Sequence, residues 1–196
     1  MQLLIATTNH GKITEISSLL HELDLELLTP QAIHLDLQVE ETGTTYLENA
    51  RLKVLAYSQA TGLPTLAEDT GLEVAALDGQ PGLHSARFIP DPLATDRDRR
   101  ALLLEKLAPF PRPWQARFVC VAVLALPGQD LIFKEGVCPG EIIPQEHGLH
   151  GFGYDAIFMV AGTHHTMAEL DLSQKDHISH RAQAIRALYP YLQPSG

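Results

Sequence analysis

The chain is poor in basic residues: 14 Lys and Arg stand against 24 Asp and Glu, a formal net charge of -10 over 196 residues. A general nucleic-acid binder needs a basic face that displaces counterions, so that class is excluded. A nucleotide ligand is not, because a few local cations and a divalent metal can reverse the field inside one cleft. Cysteine is also scarce. Cys120 and Cys138 lack the paired spacing of a metal site and read as reduced thiols in a cytoplasmic setting. No apolar run is long enough for a membrane helix and no signal-peptide pattern is present, so no membrane partner is expected. What is left is an ordinary globular composition, 45% apolar and 19% charged, sized for one domain (1–196) with a real core.

One stretch, residues 63–72, organises the rest. Gly62 and Pro64 stop a helix. Thr65 to Ala67 reads as a buried strand that ends in adjacent acids, Glu68 and Asp69, followed by Thr70 and Gly71. In open α/β sheets ligands bind where strands end, and two neighbouring carboxylates repel unless a cation or proton relieves them. A solvated turn with two surface acids is the plain alternative.

Leu3 to Ala6 reads as a first buried strand. Thr7-Thr8-Asn9-His10-Gly11-Lys12 follows, and apolar spacing from Ile13 predicts a helix beginning near Lys12. A strand, a polar turn with Gly and Lys, and a helix is the layout of a phosphate site, though without P-loop or dinucleotide spacing. Residues 30–39 read as a loop, followed by a second acid pair, Glu40 and Glu41. Thr45 and Glu48 form a capping box for a helix buried through Leu47, Ala50, Val54 and Tyr57, with Lys53 on a solvated stripe. Leu72 to Leu77 reads as a separate strand. A helix capped by Thr95 carries Arg97, Arg99 and Arg100 as a solvated face. Lobe boundaries are expected near 109–115, a Pro-rich connector, and near 160–172.

Ala116 to Leu126 is unbroken and rich in Val, as in a central strand covered on both faces. Leu131 to Val137 returns beside it, broken by Pro139 and Gly140. The Gly-rich stretch His147 to Asp155 contains Phe152-Gly153-Tyr154-Asp155, where backbone can approach a ligand and an aromatic face can carry a base. A last helix, capped by Ser173, carries Lys175 in its first turn and His180 and Arg181 farther on, about 7–8 Å along the axis from Lys175 to His180.

Together these segments resemble the inosine triphosphate pyrophosphatase family, which removes non-standard purine nucleotides. The resemblance spans essentially the whole chain. It is carried in order by residues 7–12, Glu40-Glu41-Thr42-Gly43, Glu48-Asn49-Ala50, Glu68-Asp69-Thr70-Gly71-Leu72, Pro81-Gly82, residues 152–155 and Ser179-His180-Arg181. Thr8 stands where the family usually has Gly, Glu68 where many members have Asp, and Thr70 where many have Ser. A β-branched Thr8 would strain a turn that required positive φ.

The resemblance implies an α/β fold with a long curved mixed sheet, flanking helices and a cleft between two lobes, in a homodimer. It implies Mg²⁺-dependent cleavage between the α and β phosphates of ITP, dITP or XTP, giving the monophosphate and pyrophosphate. On that reading Asp69 is the general base, its pKa raised by crowding from Glu68. Glu41, or Glu40 as second choice, holds the metal with Asp69. Lys12, Lys53 and Lys175 neutralise phosphate charge. Thr7 to Lys12 and Thr70 bind phosphate, Phe152 stacks the base, and residues 153–155, His180 and Arg181 contact it. Two rivals are a nucleotide-binding regulator without turnover and a pyrophosphatase of modified pyrimidine nucleotides.

Overall fold

Alternation along the strands decides where each helix sits. The computed structural model describes residues 1–193. In chain order the elements are β1 (Gln2–Ile5), α1 (His10–Leu20), β2 (Glu26–Leu28), α2 (Tyr46–Thr61), β3 (Thr65–Val74), β4 (Pro81–Gly82), α3 (Asp96–Leu107), β5 (Trp114–Ala125), β6 (Ile132–Ile142), β7 (Phe158–Val160), α4 (Leu172–Ile178), α5 (His180–Arg186) and α6 (Tyr189–Leu192). The strands form one mixed sheet in the order β2-β1-β3-β5-β6-β7, with β4 paired to β3. β1 is parallel to β2 and β3, whereas β4 and β7 run antiparallel to β3 and β6. The fold is α/β, with helices flanking a mixed sheet.

The chain divides into two compact units, and it passes between them inside β3, β5 and β6 and at the α4–α5 junction. Residues 109–115 and 160–172 both lie within the second unit. In the first unit, Leu3, Ile5, Leu66, Cys120, Ala122 and Leu124 pack on α1, α5 and α6. The intervening Leu4, Ala6, Ala67, Val121, Val123 and Ala125 pack on α2 and on Ile33, Leu35, Leu37 and Val39. A period of two thus feeds both faces, which is why β5 needs its unbroken apolar run. In the second unit Leu72 and Val74, Trp114, Ala116 and Phe118, and Phe158 and Val160 pack on Leu103 and Leu107 of α3.

Local caps account for most helix ends. Asn9 accepts from the Lys12 N–H at 3.2 Å, so α1 begins at His10, two residues before the predicted start. Thr45 caps α2, and Gly62 ends it in the left-handed region. The reciprocal half of the box differs: the Glu48 carboxylate accepts from the N–H and hydroxyl of Thr44 at 2.6 and 2.9 Å.

Three predicted breaks are absent or moved. β3 runs straight through Glu68, Asp69 and Gly71 to Val74. β6 runs through Pro139, which is exposed and still accepts from Ala161 N–H at 3.0 Å. The last helix is two helices. Asp171, not Ser173, caps α4 in a reciprocal pair with Gln174, and Ser179 caps α5 by accepting from Ala182 N–H at 3.1 Å. The axial spacing from Lys175 to His180 therefore does not apply.

α5 lies tight on β6 at Gly136, where an added Cβ would sit 2.1 Å from the His180 carbonyl oxygen and 2.7 Å from the Ala184 nitrogen. Overpacking of this kind costs about 1–3 kcal/mol. Gly136→Ala is expected to lower Tm by about 2–12 °C in thermal denaturation. An unchanged Tm would contradict the close approach.

Candidate active site

Because side chains alternate along a strand, Glu68 and Asp69 point to opposite faces of β3. Glu68 shares the face of Leu66 and is 3% exposed. Its Oε1 lies 3.1 Å from Lys12 Nζ on α1 and 3.2 Å from Arg181 Nε on α5. Arg181, 2% exposed, also donates from Nη1 to the carboxylate of Glu15. Two carboxylates and two cations meet in this buried network, as charges in a low-dielectric interior require. Burial opposes the guanidinium's charge, but Glu68 and Glu15 outweigh it and raise the Arg181 pKa.

Asp69 shares the face of Ala67 and meets α2. Asn49 Nδ2 donates to its Oδ2 at 3.0 Å, and Lys53 Nζ lies 3.6 Å from its Oδ1. The same ammonium lies 2.7 Å from Glu41 Oε1. Lys53 is therefore not solvated as expected, since Asn49 and Lys53 form their own i, i+4 stripe toward the acids. Asn49 Oδ1 accepts from Gly43 N–H at 2.8 Å. Gly43 must be bare there, because a Cβ would stand 2.6 Å from Glu48 Cβ and 2.7 Å from that oxygen.

The loop before α2 places Glu40 and Glu41 differently. Alternate residues Leu35, Leu37 and Val39 pack on the core, and continuing that alternation turns Glu41 inward and leaves Glu40 exposed. The Asp69 pKa is raised chiefly by burial, with Glu41 adding and Lys53, Lys12 and the Asn49 hydrogen bond opposing. Burial is thus the chief cause, not the sequence-adjacent carboxylate, which points away. Among the described residues no group of three or more His, Cys, Asp and Glu is arranged to hold a metal. Glu41 and Asp69, gathered about one ammonium, fit a hard divalent cation that takes one or two carboxylates and completes its shell with water and phosphate oxygens.

At the N-terminal turn Thr8, Asn9 and His10 are exposed, while Thr7 and Gly11 are half-buried. Among the described residues only His34 and Asp78 are non-glycine residues at positive φ, so Thr8 carries no such strain. Thr70 is half-buried on β3, and His180 is buried at the start of α5.

In the second unit Lys175 Nζ lies 2.7 Å from Asp155 Oδ2, and that oxygen accepts from Phe152 N–H at 3.3 Å. Phe152 is half-buried and Tyr154 buried. Arg99 and Arg100 are not a solvated face: Arg99 binds Asp96, and Arg100 binds Glu146 and the Gly153 carbonyl. Cys138 stays a thiol, its pKa pushed up to about 11 by burial with Asp155 adding. Sequence reasoning gave no role to Glu15, Asp96 and Glu146, named Asn49 only within a motif, and read Arg100 as solvated. Of these only Asn49 left a local signal, its spacing of four from Lys53.

A carboxyl whose pKa is higher folded than unfolded costs stability once pH exceeds its ordinary value of 3.8. Asp69→Asn in metal-free protein is therefore expected to raise Tm at pH 7 and to lose that advantage near pH 3, where both states hold the proton. A lower Tm at pH 7 would contradict it.

Known proteins match this chain over nearly its whole length. The model of the Ham1 family matches residues 3–191. A dITP/XTP pyrophosphatase of Prochlorococcus marinus (strain NATL1A) is 43% identical over 191 residues, covering 97% of this chain and 93% of that protein. One from Deinococcus deserti is 45% identical over 187 residues, covering 95% and 87%. The solved structure of a HAM1 protein from Coxiella burnetii superposes with a TM-score of 0.86 at 37% identity, covering 98% of each chain. On the sequence, the sheet order and these matches, the chain belongs to the Ham1 family.

Proposed function

We propose that this chain hydrolyses the non-standard purine nucleoside triphosphates ITP, dITP and XTP to the monophosphate and pyrophosphate, clearing them from the nucleotide pool. The relatives' activity supports the reaction. The observation that carries it is the buried Asp69, aligned by Asn49 and facing Lys53 and Glu41. In this reading Asp69 accepts a proton from the attacking water. A pKa raised by burial makes it a stronger base than an ordinary carboxylate.

Glu41 and Asp69 are the residues that would hold Mg²⁺, with Glu40, exposed, as the weaker candidate. Bound there, Mg²⁺ would polarise phosphate oxygens as a Lewis acid. Lys12, Lys53 and Lys175 offset the charge of departing pyrophosphate, each already held by a carboxylate partner. Residues 7–11, with the exposed N-terminal end of α1, and Thr70 receive phosphate. Phe152 stacks the base, and Gly153, Tyr154 and Asp155 contact it.

Arg181, its guanidinium oriented by Glu68 and Glu15, and the backbone N–H groups of residues 152–155 are the donors to the six position of the purine in this reading, and His180 contacts the base. A donor aimed there accepts the carbonyl of inosine or xanthosine and is left mismatched by the amino group of adenine. Among the described residues no helix is long and apolar enough to cross a membrane. A cytoplasmic location is part of this reading, supported by the two free, buried cysteines. The homodimer is supported by the resemblance alone, and light scattering tests it.

One unsatisfied buried polar group costs about 1–3 kcal/mol, roughly ten- to hundredfold in rate. Pyrophosphate release with Mg²⁺ is expected to be faster by about that factor on ITP and XTP than on ATP. Equal rates on ITP, XTP, ATP and GTP would contradict the specificity. Intact nucleotide after long incubation would contradict the reaction.

A further inference from the structure

The loop that carries Phe152 is gripped by a helix that has no part in the proposed chemistry. Gly153 sits at φ +61 with nothing within 4 Å of an added Cβ, so its backbone conformation, not crowding, calls for glycine. Its N–H donates to Asp96 Oδ2 at 2.7 Å, and its carbonyl accepts from Arg100 Nη1 at 2.8 Å. Asp96 and Arg100 are four apart on α3 and share one face. The remaining contacts brace the pair. Arg99 Nη2 donates to Asp96 Oδ1 at 2.8 Å, and Arg100 Nε and Nη2 donate to Glu146 Oε1 and Oε2 at 2.9 and 3.0 Å.

The next two residues are also tied down: Tyr154 hydroxyl to the Ser85 carbonyl at 2.9 Å, and Asp155 to Lys175 at 2.7 Å. A stretch with glycines at 148, 151 and 153 is thus fixed at three consecutive residues. Ordering it on folding removes that cost from ligand binding.

We propose that Asp96 and Arg100 are positioning residues for the base: by holding both backbone polar groups of Gly153 they set the Phe152 ring on which the purine stacks. This rests on the reading of Phe152 as the stacking platform. Neither residue touches the phosphates in that reading, so their loss weakens binding and leaves the chemical step.

The test is ITP kinetics of Arg100→Met, Asp96→Ala, Asp96→Asn, Phe152→Ala and the double variant Arg100→Met/Phe152→Ala, each checked by thermal denaturation. Loss of an ordered stacking contact is expected to raise KM about tenfold with kcat within about twofold, for Arg100→Met and Asp96→Ala. Asp96→Asn keeps an oxygen to accept from Gly153 N–H and is expected to restore KM to within about twofold. The double variant is expected to bind no more weakly than Phe152→Ala alone. A raised KM in Phe152→Ala beside an unchanged one in Arg100→Met overturns this inference and leaves the platform standing. An unchanged KM in Phe152→Ala overturns the platform itself, and the inference with it. A parallel fall in kcat, or additive effects in the double variant, overturns the positioning role. If Arg100→Met does not fold, the contrast between Asp96→Ala and Asp96→Asn decides the matter.

Discussion

Two adjacent carboxylates inside a buried strand must leave it on opposite sides, and each must find its own cations there. That constraint shapes the first unit. Glu68 draws Lys12 from α1 and Arg181 from α5, with Glu15 balancing the second cation. Asp69 draws Asn49 and Lys53 from α2, and Lys53 draws in Glu41. The two faces still sense each other, since Lys12 lowers the Asp69 pKa and Glu68 raises that of Lys53. Neither acid could be buried without these partners, because an unpaired buried charge costs several kcal/mol.

The division also separates tasks. The Glu68 face pairs two carboxylates with two cations, which suits a scaffold that orients a guanidinium and an ammonium. On the Asp69 face a half-buried Glu41 and a carboxylate with a raised pKa stand near one ammonium, which suits a place where phosphate, water and a divalent ion meet. Membership in the Ham1 family fits this arrangement, and the resemblance of the ordered motifs pointed to the same chemistry.

Much of this was legible in the sequence, for local reasons. The Thr45 cap, the Gly62 terminus and the doubly covered β5 all follow from short-range rules and hold. Misreadings arose where distant residues override local appearance. Glu68, Asp69 and Gly71 look like a turn, but their cations lie as far away as Arg181, 113 residues along the chain, and pairing keeps the strand intact. Ser179 looks like helix interior because the apolar stripe continues past it to Ala182 and Ile185, yet its hydroxyl caps a new helix. The inward turn of Glu41 was visible in the alternation of Ile33, Leu35, Leu37 and Val39, which reading residues 30–39 as a plain loop passes over. The grip of α3 on Gly153 depends on contacts 53 to 57 residues apart and left no local trace.

The most direct test of the divided acid pair is single-turnover hydrolysis of ITP by Asp69→Asn, with nucleotide affinity measured separately. Loss of the positioned base is expected to slow the chemical step, at saturating nucleotide and Mg²⁺, by about 10²- to 10⁴-fold. Turnover at the unmodified rate with normal affinity would contradict the role of Asp69.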